Sequence, residues 1–131
     1  MSSNPLANSR AMALVGVADL GAARAFYGGL LGLEIVSEDG FAIVARAGGM
    51  RVRLTLVPSV VACGYTVLGF EVPDAKDTAT NLAAAGIIFE RYGFLGDAQG
   101  PDGSWQAPGG TRVAWFKDPD GNLLSISDAA A

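Results

Sequence analysis

Lys117–Ser127 reads KDPDGNLLSIS. Its first part is a turn: Pro119 presets φ, and Gly121 tolerates the positive φ that closes Asp118-Pro119-Asp120-Gly121-Asn122. Its second part, Leu123–Ser127, reads as a short strand with Ser125 and Ser127 on one face and Leu124 and Ile126 on the other. A well-specified turn therefore aims a strand whose inward candidates are two hydroxyls and no charge. What that turn serves, if it does not aim a charged group, decides how the chain is read.

Working outward, the chain divides into two similar halves. Ala11–Val17 is an apolar strand, and Asp19 stands where a helix N-cap belongs. Leu20, Ala23, Phe26, Tyr27, Leu30 and Leu31 then recur at helical spacing, and Gly28, Gly29 and Gly32 weaken and end the helix. Leu33–Ser37, Phe41–Arg46 and Arg51–Val57 follow as strands, punctuated by Glu38-Asp39-Gly40 and Gly48-Gly49. The order then restarts: strand Thr66–Val72, N-cap Asp74, helix Ala75–Ala85, strand Ile87–Arg91, a long loop, and strands Thr111–Lys117 and Leu123–Ser127. VADL at Val17–Leu20 answers VPDA at Val72–Ala75, and GLEI at Gly32–Ile35 answers GIIF at Gly86–Phe89. A second echo, GGMRV at Gly48 against GGTRV at Gly109, breaks the strand order and reads as two similar turns.

The expected fold is therefore α+β, with paired βαβββ modules at about 11–58 and 65–127 within one domain over 11–128. Two such sheets can curve into a half-open eight-stranded barrel with helices outside and a ligand cup between them. On the first strand Met12, Leu14 and Gly16 are expected to face the cup, and Ala13, Val15 and Val17 the helix.

Composition limits the function. The chain has 131 residues, 50% of them hydrophobic and 17% charged, which suits one core and not disorder. A net charge of −4 argues against nucleic acid and anionic membranes as partners. Residues 1–10 are polar and read as a flexible segment, and no run is long enough to span a membrane. One cysteine, Cys63, excludes an internal disulfide and suits a reducing cytoplasm. With no histidine, the commonest metal ligand and general base is missing.

Val17–Val36 (VADLGAARAFYGGLLGLEIV) and Val113–Ile126 (VAWFKDPDGNLLSI) together resemble the vicinal oxygen chelate superfamily of glyoxalases, bleomycin-resistance proteins, fosfomycin-modifying enzymes and extradiol dioxygenases. In metal-dependent members the resemblance implies one His or Glu ligand on each of four cup-facing strands. Those positions fall here at Met12, Arg53, Val67 and Ser125. None is a ligand for a hard or borderline divalent cation, so no metal and no cofactor are expected. The resemblance also implies a homodimer.

Each remaining candidate has two readings. Arg53 either clamps a carboxylate or enolate of a ligand or is a solvated strand arginine like Arg51. Glu71 or Glu90 is a general base if desolvated, and otherwise a surface carboxylate. Tyr65, Trp115 and Phe116 line an aromatic cup or belong to the core. Ser125 can hydrogen-bond a ligand but lacks a base to make it a nucleophile. Cys63 reads as an inert linker thiol. Trp105, inside the glycine-rich Gly93–Gly110, reads as part of a lid, an anchor for its loop, or a subunit contact.

The leading expectation is a metal-free, cytoplasmic, homodimeric protein that binds a small organic molecule, by sequestration as in bleomycin resistance. The alternative is a cofactor-independent isomerase, epimerase or cyclase acting on a carbonyl compound, with Glu71 or Tyr65 working beside Arg53. A scaffold without a small ligand is the third.

Overall fold

The computed structural model describes residues 5–128, so the start of the expected flexible segment lies outside the described residues. Strand β1 (Met12–Val17) leads into α1 (Leu20–Ala23), then β2 (Glu34–Glu38), β3 (Ala42–Ala47) and β4 (Met50–Leu56). The second half runs β5 (Leu68–Val72), α2 (Ala75–Ala84), β6 (Trp105–Gln106), β7 (Arg112–Lys117) and β8 (Leu123–Asp128). Both helices start as the sequence requires. The Ala22 amide donates to Asp19 at 3.0 Å and the Asp77 amide to Asp74 at 3.0 Å, satisfying amides that a helix start leaves free.

The first helix does not stay α. Arg24–Leu30 widens into a π-helix, and the Leu31 amide reaches back to the Phe26 carbonyl at 2.9 Å. Gly28 permits the close packing, since a Cβ there would lie 3.1 Å from the Ile35 side chain. Gly32, at φ +75°, then turns the chain into β2.

The strands form two sheets, ordered β1-β4-β3-β2 and β5-β8-β7-β6. In each, the first strand runs parallel to the last and the other pairs are antiparallel. The expected pair of βαβββ modules is present, with the sheets not closed into a barrel. One strand differs. Ile87–Arg91 makes a single bridge, Phe89 to Phe116, and the edge beside β7 is shared with the two-residue β6.

The core lies on the helix sides of the sheets and is continuous between modules. Val15, Val17, Ile43 and Leu54 from the first half join Leu124, Ile126 and Phe116 from the second. Fully burying such a side chain stabilises the fold by roughly 1.5–3 kcal/mol. The Phe26 ring reaches the Phe116 ring across the junction, 6.3 Å between centroids.

The DPDGN turn closes the same junction. The buried Asp118 carboxylate accepts from Tyr27 Oη at 2.8 Å, Asn122 Nδ2 at 2.8 Å, and the amides of Asp120 and Asn122, both at 2.9 Å. Asn122 Nδ2 also donates to the Gly16 carbonyl at 2.8 Å, and Asp120 accepts the Ala18 amide at 3.1 Å. The turn thus binds the second module to the end of β1. Burial, then the Asp118 charge, pushes the Tyr27 phenol far above its ordinary range. Among the described residues no helix is long and apolar enough to cross a membrane.

Candidate functional site

Strand alternation sends one set of side chains to the core and leaves the other on an open sheet face. On β1 the buried residues are Val15 and Val17, while Met12 is 40% and Leu14 is 69% exposed. This matches the expected division of that strand. Register places Met12 beside Arg51 and Leu14 beside Arg53 on β4, with Arg46 and Val44 of β3 opposite Arg51 and Arg53. The open face of the first sheet is therefore rich in guanidinium.

The second sheet presents something else. Ser125 on β8, buried in the floor of that sheet's open face, stands between Gly69 of β5 and Trp115 of β7, while the half-buried Ser127 stands between Glu71 and Val113. Gly69 leaves room for the serine, because a Cβ there would sit 3.1 Å from Ser125 Oγ. Val67 lies at the mouth of the same strand pair, its amide donating to the Leu123 carbonyl at 2.9 Å. Trp105 pairs with Val113, which stacks it on Trp115 with 6.3 Å between centroids and 28° between planes.

Tyr92 meets the other side of Trp115 edge-on at 5.2 Å, and Phe94 follows Tyr92 at 5.7 Å. Four aromatic rings thus form one row. Tyr65, 68% exposed, borders the same cleft of about 360 Å³ with Tyr92, Phe94 and Trp115. The neighbouring Cys63 side chain pushes the Tyr65 phenol up. Burial and the Glu90 charge do the same to Tyr92. Phe116 does not join the row: one residue beyond Trp115, it faces the core and is buried.

Neither Tyr92 nor Phe94 is a candidate in the sequence, where Ile87–Arg91 reads as a strand giving way to a long loop. The segment that follows is a folded excursion. A 3₁₀ segment spans Gly93–Ala98. Gln99 is buried behind it, donating to the carbonyls of Glu90 and Gly103 at 2.7 and 2.9 Å and accepting the Tyr92 amide at 2.9 Å. Asp102 accepts from Ser104 Oγ at 2.7 Å, and Arg112 donates to that oxygen at 2.9 Å. Trp105 is held by this scaffold, in a strand.

The two candidate bases are placed differently. Glu71 is exposed on the open face of the second sheet, and Glu90 lies 3.5 Å from Lys117 Nζ. The four positions where the resemblance implies metal ligands divide two and two, Met12 and Arg53 on the first sheet, Val67 and Ser125 on the second. A thioether, a guanidinium, an alkyl group and a hydroxyl do not fit a divalent cation that needs imidazole or carboxylate. Among the described residues no three His, Cys, Asp or Glu side chains converge to hold one.

Two mixed sheets of this order, each open on one side, define the paired-module α+β fold of the glyoxalases. The chain belongs to the Glyoxalase/Bleomycin resistance protein/Dioxygenase superfamily, whose family profile matches residues 10–126. Among solved structures it is similar to a lactoylglutathione lyase from Agrobacterium tumefaciens, at 21% identity and TM-score 0.72, covering 94% of this chain and 95% of that one. It is also similar to the genomically encoded fosfomycin resistance protein FosX from Listeria monocytogenes, at 15% identity and TM-score 0.71, covering 93% of both chains. A glyoxalase-related enzyme from Fulvimarina pelagi shares 22% identity and TM-score 0.69, over 93% of this chain and 88% of that one. At these identities the likeness is one of fold. A search of the curated proteins gives no match.

Proposed function

We propose that this chain binds a small organic molecule with a flat apolar part, without a metal, and acts by holding it. The observation that carries this reading is the row of Phe94, Tyr92, Trp115 and Trp105 beside an open cleft. Stacking aromatics give a large contact area at small conformational cost, and they suit a planar ligand. The ligand would lie over Trp115 and Ser125, with Tyr65, Val67 and Glu71 at its margin. The open first sheet, with Met12 and Arg53, would supply the opposite wall of the cup when two chains pair as a homodimer. A chain with one thiol and this acidic balance fits a cytoplasmic binder of small molecules, with no role for nucleic acid or membrane.

The enzymatic alternative has less to rest on. Proton abstraction beside a carbonyl needs a base held near the reacting atom, and Glu71 is exposed while Glu90 faces Lys117.

Native mass spectrometry of freshly purified protein tests the reading directly. A retained organic molecule is expected at one per cup, lost from Trp115→Ala and accompanied by no stoichiometric transition metal. EDTA should leave the melting temperature unchanged, because no metal binding is coupled to folding. One tightly held Zn²⁺, Ni²⁺, Fe²⁺ or Mn²⁺ per cup would overturn it.

A further inference from the structure

The first sheet carries an arrangement that burial and folding do not explain. Arg46 lies directly across from Arg51 in the β3–β4 ladder, and Arg53 stands two residues further along β4 on the same face. Like charges placed opposite one another in a ladder destabilise it. Along the strand, positions i and i+2 are about 7 Å apart, so the three guanidinium groups can converge on one group above the sheet. The chain has only nine lysines and arginines and a net charge of −4, so a concentration of three on one face is not a by-product of basic composition.

Local carboxylates do not neutralise the row. Glu34 lies 3.5 Å from Arg46 at the outer end. Asp39 lies near enough to Arg53 to feel its charge, but its Oδ1 already accepts the Phe41 and Ala42 amides at 2.7 and 2.9 Å. Among the described residues no carboxylate forms an ion pair with Arg51 or Arg53. Both side chains are half-buried against the sheet, which lowers the local dielectric and strengthens attraction for an anion.

We infer that Arg46, Arg51 and Arg53 form an oxyanion seat, so that the ligand of this protein carries a carboxylate, phosphate or phosphonate. Planar guanidinium forks match the two oxygens of such a group in a way that a solvated cation does not. The inference rests on the proposed function for its aromatic part. The ligand is then a planar organic anion, its ring against the Trp115 row and its charged end on the first sheet.

Arginine Nε–Hε resonances report on each guanidinium separately. The protein is titrated at constant ionic strength with inorganic phosphate, with 2-naphthoate, and with the neutral 2-naphthalenemethanol. Both anions should shift the Arg46, Arg51 and Arg53 signals along one saturating curve, while Arg91 and Arg112, engaged elsewhere in the fold, stay still. Arg53→Gln should weaken both anions by about tenfold and leave the neutral alcohol unchanged. Phosphate and naphthoate binding equally would support the seat while removing the aromatic part of the proposed function. Naphthoate and the alcohol binding equally, with no effect of Arg53→Gln, would overturn the seat while leaving the aromatic row in place. Small, unsaturating shifts spread over all arginines would also overturn it.

Discussion

The two modules repeat one architecture and present unlike chemistry on their open faces. β3 and β4 show Arg46, Arg51 and Arg53, whereas β6 and β7 show Trp105 and Trp115. The helix sides are alike: Val15 and Val17 in the first module, and Leu124 and Ile126 in the second, are all buried. Burial holds one side of each sheet to apolar residues, and the other side is left free to diverge. The difference therefore marks where two halves of one architecture part in chemistry.

The comparison is broken most severely at the junction that both modules share. Asp118→Ala leaves four donors without their acceptor and should lower stability by about 3 kcal/mol in urea unfolding. Trp115→Ala, which removes the middle of the aromatic row, should cost about 2 kcal/mol and abolish retention of the proposed ligand. An unchanged bound fraction in that variant would separate the row from ligand binding.

Tyr27→Phe should cost only about 1 kcal/mol at neutral pH, because Asp118 keeps its other donors. Its signature lies in alkali. Tyr27 retains its proton in the fold, while the unfolded chain releases it near pH 10, so the stability it contributes is present below that pH and falls above it. The loss is about 1.4 kcal/mol per pH unit, and Tyr27→Phe should remove most of that slope, leaving what Tyr65 and Tyr92 add. Smallest of all, Arg51→Gln should leave stability unchanged or raise it by up to about 0.5 kcal/mol, by relieving the like charge across from Arg46. A destabilisation above about 1 kcal/mol would show that the arginines support the sheet itself.

Much of this could be read from the sequence, because it depends on local patterns. The Asp19 and Asp74 caps, the helical spacing of Phe26 and Tyr27, and the DPDGN turn all act over a few residues. The division of β1 into buried Val15 and Val17 and open Met12 and Leu14 followed from alternation alone. Ile87–Arg91 misled for a physical reason. It has the apolar content of a strand, yet Ile88 is 84% exposed and much of the neighbouring edge is taken by Trp105–Gln106. Tertiary competition for an edge leaves no trace in a single segment. The aromatic row was half visible: Trp105 and Trp115 were candidates, whereas Tyr92 and Phe94 join them only because the Gln99-centred excursion folds back. Arg51 was dismissed as solvated, since its position across from Arg46 depends on the β3–β4 register.

The clasp at the end of β1 also sets an order of events. The Gly16 carbonyl accepts from Asn122 and the Ala18 amide donates to Asp120, across separations of 106 and 102 residues. At translation rates of about 5–20 residues per second, the end of β1 waits roughly 5–20 s for these partners. During that interval its sheet can form through the nearby β3–β4 pairing, but the end of β1 lacks its clasp. A nascent first half is thus left longest without partners at the backbone that ends β1, the Gly16 carbonyl and the Ala18 amide.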